Sequence, residues 1–267
     1  MRKLENKETK QIIFQILCAF SEFCDENNLR YYLSGGTLLG AIRHKGFIPW
    51  DDDIDVLMPR PDYDHMHKIL KEKNIRPYYR LSSIQAGNSF LPFAKIVDIR
   101  THIENKYTKA YKGLWIDVFP MDGLPKDEKQ SNKILSKAEP MKRWIMRCNV
   151  KVGPGKNIWT TILKIPMILI FKIYNPEKKL GQKLDKIAQQ YDFDSSDYIG
   201  GIAWSLGANE RMKKTDYLPV KDIEFCGRMF HAPACWDYYL TKIYGDYMKL
   251  PPEEKRVNHN FSAYIEE

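Results

Sequence analysis

The chain has 267 residues, of which 43% are hydrophobic, so it is long enough to bury the core of one large globular domain or two modest ones. Its 42 lysines and arginines exceed its 34 aspartates and glutamates, and the formal net charge of +8 is compatible with an anionic partner such as a nucleotide, nucleic acid, polymer or lipid headgroup. The five cysteines form no CxxC pair and no metal-ligand spacing, which argues against a disulfide framework and favours a reducing compartment.

The N-terminal segment predicts a helix followed by a strand. Its basic start is interrupted by Glu5 and Glu8 and no small-residue cleavage site follows, so we expect no signal peptide and a cytoplasmic protein. Apolar residues recur at spacings of three and four between Ile12 and Cys24, which predicts an amphipathic helix that ends near Asn27. The sequence RYYL then predicts a short strand.

A glycine turn and a predicted short helix follow this strand. Ser34, Gly35 and Gly36 supply a hydroxyl group, a close backbone approach without a Cβ atom and helix N-terminal amide groups, which together suit a phosphate. A plain tight turn is the alternative. The spacing of Gly35 and Gly40 matches a Walker loop, but alanine and isoleucine replace the required lysine and serine or threonine, which excludes that loop.

The sequence WDDDIDVLM at 50–58 places four carboxylates in front of apolar residues, and we predict a strand over 52–58. Side chains alternate along a strand, so Asp51, Asp53 and Asp55 are predicted to share one face, the last two about 6.6 Å apart. Like charges at such distances repel by a few kcal/mol, roughly, at an effective dielectric constant near 20. The cluster therefore needs open solvent or a cation, and oxygen ligands favour Mg²⁺ or Mn²⁺.

A calcium-binding loop is the obvious alternative for this acidic segment. In that motif the sixth position is glycine and the twelfth is glutamate. Here these positions hold Val56 and Asp62, so we discard the calcium loop.

The elements after the acidic segment complete the predicted fold. Pro59 ends the strand, and a helix begins directly after it. The runs FAKIVDI and LWIDVFP predict two further strands, and the second contains Asp117 where a charge is otherwise unexpected. This order predicts an α+β or α/β sheet domain, and we favour an α+β fold with a mixed β-sheet flanked by helices.

The charged residues of this core suggest transfer chemistry at phosphorus. A glycine turn, an Asp-x-Asp segment and a third aspartate, Asp117, suit a two-metal reaction in which one ion activates the acceptor oxygen and the other stabilises the leaving group. Lys95 lies in an apolar strand and needs a nearby anion, so it is a candidate for binding the substrate phosphate, with Asp98 as the alternative partner. Arg43 and Lys45 are further candidates to neutralise phosphate charge, or they belong to a basic surface loop.

The composition changes after the predicted core. Residues 126–183 contain fourteen lysines and arginines against four acidic residues, and an amphipathic basic helix is predicted at 129–151. The run at 158–174 is strongly apolar but short of the roughly 20 residues that span a bilayer. We predict that both segments lie on the inner face of the cytoplasmic membrane, at anionic lipids. A buried core helix is the alternative for the apolar run.

We divide the chain into three regions on this basis. Residues 1–125 form a catalytic core, residues 126–197 a basic and apolar helical region, and residues 198–267 a C-terminal region that packs back on the core.

Three long motifs carry a resemblance to a known family. The sequences YLSGGTLLGAIRHKGFIPWDDDIDVLMPR, KGLWIDVFPMDG and YGDYMKLPPEEKR resemble the LicD family of phosphocholine transferases, a branch of the nucleotidyltransferase superfamily that also includes fukutin-like proteins. The resemblance implies a nucleotidyltransferase-like fold and transfer of phosphocholine from CDP-choline to a sugar hydroxyl of a cell-wall teichoic acid or surface glycopolymer precursor, with release of CMP. It also implies a lipid-linked glycopolymer acceptor.

The resemblance assigns roles to individual residues. Asp53 and Asp55 match the metal-binding pair, Asp117 matches the third catalytic aspartate, and the Ser34 to Gly36 turn matches the family's glycine turn. Asp51 is a further candidate metal ligand, or it orders the loop that begins at Arg43. Two Mg²⁺ or Mn²⁺ ions are expected at this site.

Choline adds a requirement, because its quaternary ammonium group cannot donate a hydrogen bond. Proteins hold such cations against aromatic faces or carboxylates, and each aromatic contact contributes about 0.5 to 2 kcal/mol. Trp115 shares a predicted strand face with Asp117, so we predict that its ring binds choline.

Two alternatives to phosphocholine transfer stay open. The same fold and metal site would serve transfer of ribitol phosphate, glycerol phosphate or a nucleotide. A nucleic-acid-binding protein that uses the basic helix belongs to a different class. No aromatic residues are interleaved with the basic ones as a stacking platform, so we expect no nucleic-acid partner.

Overall fold

The structure of the chain is a computed structural model that describes residues 1–105, 113–148, 176–204, 207–256, 258 and 261–266. The predicted α+β fold class is confirmed. The α-helices in the described residues are α1 (Asn6–Glu26), α2 (Gly35–His44), α3 (Arg60–Glu72), α4 (Glu128–Cys148), α5 (Pro176–Ala188), α6 (Lys214–Tyr217) and α7 (Trp236–Tyr244). Short 3₁₀ turns lie at Ala208–Glu210 and Glu253–Lys255.

Most strands belong to one mixed sheet. The strands are β1 (Arg2–Lys3), β2 (Tyr32–Leu33), β3 (Asp55–Pro59), β4 (Tyr79–Ser82), β5 (Ala94–Asp98), β6 (Thr101–Asn105), β7 (Leu114–Leu124), β8 (Tyr198–Gly200), β9 (Met212–Lys213), β10 (Val220–Phe225), β11 (Arg228–Pro233) and β12 (Phe261–Ile265). The seven-stranded sheet has the path β2-β3-β7-β5-β4, and β8 and β9 extend it from the end of β7. The pair β3 and β7 is parallel, whereas β5 runs antiparallel to β7.

The first helix forms and packs as its apolar spacing predicts. Its buried face includes Ile13, Ile16, Leu17 and Phe20, and each such side chain stabilises the fold by about 1.5 to 3 kcal/mol. The Glu5 side chain caps the start of α1 in a reciprocal capping box with Glu8. The helix packs against β7 and β5, so it supports the strands in the middle of the sheet.

The strand predicted over 52–58 is wrong in its first part. The observed strand β3 begins only at Asp55, and residues 51–54 form no strand. The chain turns just before them, because the Asp51 amide donates to the Ile48 carbonyl oxygen at 2.9 Å. Asp51 and Asp53 therefore precede the strand, and the prediction that they share a strand face with Asp55 is wrong.

The later part of the chain is joined to the same sheet. Strand β8 pairs antiparallel with the end of β7, and Asp122 lies opposite Gly200. Buried Arg60 binds Asp122 through Nε at 2.6 Å and Asp185 through Nη1 at 3.2 Å, which connects α3, β7 and α5. Removal of one partner from such a buried pair costs about 3 to 5 kcal/mol. The three-region division of the chain stays a prediction.

Two predicted features of the middle region have different outcomes. The basic helix is observed as α4 up to Cys148. The apolar run at 158–174 lies outside the described residues. None of the helices in the described parts of the chain is long and apolar enough to cross a membrane.

Replacement of Gly40 by alanine is expected to destabilise the protein, although alanine is the better helix former by about 1 kcal/mol. A Cβ atom at this position of α2 would lie 2.4 Å from the Gly46 carbonyl oxygen and 3.2 Å from the Ile48 amide nitrogen. Backbone atoms cannot move aside cheaply, so we expect a net loss of about 1 to 3 kcal/mol in the free energy of unfolding, measured by urea denaturation.

Gly87→Ala is the control for this substitution. Gly87 has a φ of +78°, and a Cβ atom added there would meet none of the described residues within 4 Å, so this variant tests backbone strain without a steric clash. A gain in stability for Gly40→Ala would contradict the packing of α2 against the loop that follows it.

Candidate active site

Three charged residues lie side by side on adjacent strands of the main sheet. Asp55 of β3 is in register with Asp117 of the parallel strand β7. Lys95 of β5 is in register with Asp117 from the other side. Residues in register on neighbouring strands project from the same face, with Cβ atoms about 4.5 to 5.5 Å apart. The sheet therefore assembles a lysine and two aspartates that are far apart in sequence.

Asp117 is held by two neighbours. The Lys95 Nζ atom lies 2.5 Å from Asp117 Oδ1, and both residues are buried. The Trp115 indole Nε1 donates to Asp117 Oδ2 at 3.0 Å. Each carboxylate oxygen of Asp117 thus has a donor. The alternative partner considered for Lys95 was Asp98, but Asp98 accepts from Arg100 at 2.6 Å and 3.0 Å, so that alternative is wrong.

The contacts of Trp115 differ from those predicted for a choline-binding ring. Lys95 Nζ lies over the indole, 4.1 Å from the ring centroid, and Phe261 packs near it with ring centroids 5.9 Å apart. The residue is only 8% exposed. A cation of the protein itself therefore occupies a face of this ring, and a role for Trp115 in binding choline stays a prediction.

Two backbone hydrogen bonds fix Asp55 to the glycine turn. The Ser34 amide donates to the Asp55 carbonyl oxygen at 3.1 Å. The Asp55 amide donates in turn to the Thr37 hydroxyl oxygen at 2.8 Å. Together they connect the start of β3 to the start of α2. The predicted phosphate turn and the first strand aspartate therefore have a fixed relative position.

The acidic groups raise the pKa of Asp55. Burial of its carboxylate contributes most, followed by the negative charges of Asp53, Asp117 and Asp51, and these effects place its pKa well above the ordinary value of 3.8. Lys95 offsets part of this repulsion. The pKa of Lys95 is itself lowered, because burial outweighs the favourable charge of Asp117. Among the described residues, burial and the repulsion between carboxylates therefore outweigh the attraction of Lys95 at Asp55.

The loop before β3 places Asp51 against the glycine turn. Lys10 of α1 donates to the Ile48 and Pro49 carbonyl oxygens at 3.2 Å and 3.0 Å, which fixes the loop to the first helix. A Cβ atom at Gly36 would lie only 2.7 Å from Asp51 Oδ2. Only glycine fits at position 36 without a shift of that carboxylate, so the turn and the acidic loop are in direct contact.

The glycine turn has the conformation that its residue types favour. Gly35 has a φ of +52°, in the left-handed region that glycine adopts without steric cost. Ser34 is the N-cap of α2, and its carbonyl oxygen accepts from the Leu38 amide at 3.0 Å. Its side chain makes no capping hydrogen bond, so it leaves the first amide groups of the helix uncapped.

The C-terminal region forms a second wall of the site. The Ser34 Oγ atom lies 2.9 Å from the Tyr239 hydroxyl group of α7. Arg43 Nη1 donates to the Tyr247 carbonyl oxygen at 2.7 Å, beyond the end of that helix. Arg43 was predicted to bind phosphate, but here it holds the C-terminal motif and donates from Nε to His44. Phosphate binding by Arg43 stays a prediction.

Sequence reasoning missed four residues of this arrangement: Lys10, Thr37, Tyr239 and Tyr244. Tyr244 belongs to the motif YGDYMKLPPEEKR, whose role was not derivable from sequence. Its hydroxyl group lies close to the acidic cluster. Burial and the charges of Asp55 and Glu210 raise the pKa of Tyr244, so the hydroxyl group stays protonated. The contacts of these four residues join parts of the chain that are far apart in sequence, and no local pattern reports them.

The donor set at this site suits a hard cation. Carboxylate oxygens are the ligands that Mg²⁺ and Mn²⁺ prefer, and Mg²⁺ is commonly bound by one or two carboxylates together with substrate phosphates. Within the described ranges, no three side chains of the His, Cys, Asp and Glu types are arranged to hold a metal ion. Asp117 is engaged by Lys95. The pair Asp53 and Asp55 fits such binding, and the predicted metal ligands Asp51, Asp53, Asp55 and Asp117 all stay predictions.

Comparisons with known proteins connect this site to a family. Residues 28–142 match the family described as LicD/FKTN/FKRP, nucleotidyltransferase domain. The chain is 33% identical to the lipopolysaccharide cholinephosphotransferase LicD of Haemophilus influenzae, over 99% of this chain and 100% of that protein. It is also 40% identical over 60 residues to an uncharacterised protein of Rickettsia prowazekii, which covers 22% of this chain and 23% of that protein.

Replacement of Asp55 by asparagine is expected to leave the fold equally stable or to stabilise it when no divalent cation is present. Because the folded-state pKa of Asp55 is raised, its ionisation disfavours the folded state, and wild-type stability falls as pH rises from the ordinary pKa through the raised one. Asparagine cannot ionise. The gain in free energy of unfolding should therefore grow as pH rises from the ordinary carboxyl range to mildly alkaline conditions, measured by urea denaturation in EDTA.

Asp52→Asn is the matched control, because Asp52 is the neighbouring acidic residue and is absent from the groups that shift Asp55. The difference between the two variants, measured at each pH, isolates the contribution of Asp55. A variant Asp55→Asn that is less stable than wild type in mildly alkaline buffer would contradict the repulsion described above.

Proposed function

This chain belongs to the LicD family, and we propose that it is an enzyme that transfers phosphocholine from CDP-choline to a sugar hydroxyl of a surface glycan, with release of CMP. Two observations support the proposal. The full-length relative from Haemophilus influenzae is a lipopolysaccharide cholinephosphotransferase. The register of Asp55, Asp117 and Lys95 next to the glycine turn is the single structural feature that carries it.

We propose that the acceptor is a lipid-linked glycopolymer. Lipopolysaccharide, the glycan named for the relative, is the first acceptor to test. A cell-wall teichoic acid is the second. In both cases the reaction forms a bond between the acceptor oxygen and the phosphorus of phosphocholine, and it breaks the bond between that phosphorus and the oxygen of CMP.

The residues of this chain have distinct proposed roles. Asp53 and Asp55 would hold Mg²⁺ or Mn²⁺, which when bound neutralises charge on the donor phosphates. The amide groups of the glycine turn bind the donor diphosphate, and Lys95 adds a positive charge beside it. Asp117 accepts the proton of the acceptor hydroxyl. A second metal ion at Asp117 is part of the proposed two-metal mechanism.

Lys95 and Trp115 prepare Asp117 for this task. Their donors lie at 2.5 Å and 3.0 Å from its two oxygens, which holds the carboxylate in one orientation. Lys95 then exchanges part of this contact for the incoming phosphate. Lys95 thus contacts Asp117 before the donor binds, and it contacts the donor phosphate afterwards.

Transfer of ribitol phosphate or glycerol phosphate from the corresponding CDP-alcohol is the alternative. One observation favours keeping it, because the ring predicted to hold choline already has Lys95 over it at 4.1 Å. The metal ligands and the glycine turn would have the same roles, and only the pocket for the alcohol would differ.

We also propose that the protein acts at the inner face of the cytoplasmic membrane. The outer face of α4 exposes Lys133, Lys137 and Arg147 to solvent. Trp144 and Met146 on the same helix are 45% and 48% exposed. Basic side chains beside exposed apolar ones suit a surface of anionic lipids, where a lipid-linked acceptor would be found.

The three aspartates are expected to be essential for transfer. Asp53→Asn, Asp55→Asn and Asp117→Asn should each lower CMP release from CDP-choline about a hundredfold or more, because neutral amides are poor ligands for hard cations and poor proton acceptors. The assay uses the pure protein with Mg²⁺ and lipopolysaccharide, and EDTA should abolish the reaction. Asp52→Asn is the matched control and should stay active.

Assays with different CDP-alcohol donors distinguish phosphocholine transfer from transfer of ribitol phosphate or glycerol phosphate. Wild-type protein should release CMP faster from CDP-choline than from CDP-ribitol or CDP-glycerol. Faster release from either of the other two donors would replace phosphocholine by that alcohol in the proposed function.

Binding to lipid vesicles is expected to depend on the basic face of α4. The variant Lys133→Glu with Lys137→Glu should bind phosphatidylglycerol vesicles at least about thirtyfold more weakly, since each basic residue near such a surface contributes about 1 kcal/mol. Flotation with phosphatidylglycerol and with phosphatidylcholine vesicles measures this. Lys71→Glu with Lys73→Glu, at the end of α3, carries the same charge change as a control. Equal flotation with both lipids would contradict the proposed membrane surface.

A further inference from the structure

The serine at the start of α2 does not act as a helix cap. A serine at the N-cap normally accepts a hydrogen bond from the amide group two or three residues later. Ser34 has the extended backbone of an N-cap, with φ −136° and ψ 166°, but its side chain makes no such bond. Its Oγ atom lies instead 2.9 Å from the hydroxyl group of Tyr239, and the two residues are only 4% and 1% exposed.

A third residue contacts the Tyr239 hydroxyl group. The Tyr239 hydroxyl donates to Glu210 Oε1 at 3.4 Å. A phenol has one proton, so when Tyr239 donates to Glu210 it accepts from Ser34. Burial and the charge of Glu210 raise the pKa of Tyr239, which keeps the phenol protonated. The Ser34 side chain is thus turned toward α7 and makes no hydrogen bond with the amide groups at the start of α2.

The amide groups left uncapped lie beside the acidic loop. Gly36 is so close to Asp51 that a Cβ atom would lie 2.7 Å from its carboxylate. The Thr37 hydroxyl is committed to the amide of Asp55 and does not cap the helix. A phosphate that also binds a cation at the acidic cluster therefore has backbone donors available at this turn.

We propose that Tyr239 is a positioning residue that holds the Ser34 hydroxyl away from the start of α2 and so keeps the glycine-turn amides open to the donor diphosphate. This inference rests on the proposed function for the identity of the donor. Without the tyrosine hydroxyl, Ser34 rotates to cap the helix and competes with the phosphate for the same amides. Glu210 supports Tyr239 from the other side.

A double-mutant cycle tests this role. Tyr239→Phe should raise the KM for CDP-choline about tenfold, which corresponds to the loss of roughly one hydrogen bond to a charged group. The kcat should change little, because the diphosphate is bound in both the ground state and the transition state. In the Ser34→Ala background there is no hydroxyl to compete, so the same substitution should change KM less than about twofold. A merely structural role of Tyr239 would raise KM equally in both backgrounds and would overturn the proposal.

Tyr238→Phe is the matched control. Tyr238 is the preceding residue of α7 and is 58% exposed, so loss of its hydroxyl should leave KM and kcat unchanged. A rise in KM equal to that of Tyr239→Phe would mean that α7 as a whole, and not the contact with Ser34, affects donor binding, and it would overturn the proposal.

A second measurement needs no substrate. Amide hydrogen exchange at Gly36 and Thr37, followed by NMR without nucleotide, should be slower in Tyr239→Phe than in wild type, because Ser34 then caps one of these groups. It should return to the wild-type rate in the double variant with Ser34→Ala. Unchanged exchange in Tyr239→Phe would overturn the inference. If wild-type protein does not use CDP-choline, the proposed function fails, and the exchange data still decide the role of Tyr239.

Discussion

The buried ion pair between Lys95 and Asp117 is the interaction on which the site depends. Four aspartates converge near the start of β3, and at 4 Å two like charges repel by about 4 kcal/mol at an effective dielectric constant of 20. Lys95 offsets part of this repulsion by its 2.5 Å contact with Asp117. A cation bound with the donor phosphates would offset this repulsion further.

Hydrogen bonds to the backbone hold this charge cluster in place. Ser34 and Thr37 exchange hydrogen bonds with the backbone of Asp55, so the glycine turn and the acidic strand form one unit. Lys10 holds the loop before β3 from the first helix. The acidic groups thus repel one another without moving apart, which is the condition for a preorganised electrostatic site.

The C-terminal part of the chain completes the site. Helix α7 contacts α2 through Tyr239 at one end, and the residues after it are held by Arg43 at the other. The motif YGDYMKLPPEEKR therefore contributes a residue to the site, because Tyr244 lies near the acidic cluster. The proposed role of Tyr239 gives the contact of α7 with α2 a function in donor binding, whereas the membrane surface proposed for α4 concerns access of the acceptor.

The sequence by itself determined the features that depend on local spacing. The apolar periodicity of α1, the glycine turn, the strand around Asp117 and the α+β order were all readable, because helix and strand periodicity are set by neighbouring residues. The partner of Lys95 and the roles of Thr37 and Tyr239 were not readable. The strand predicted at Asp52 to Ile54 was wrong because the pairing with the neighbouring strands begins only at Asp55. Only the tertiary structure decided these points, since strand register and contacts between residues 18 to 205 positions apart arise from packing of the whole chain.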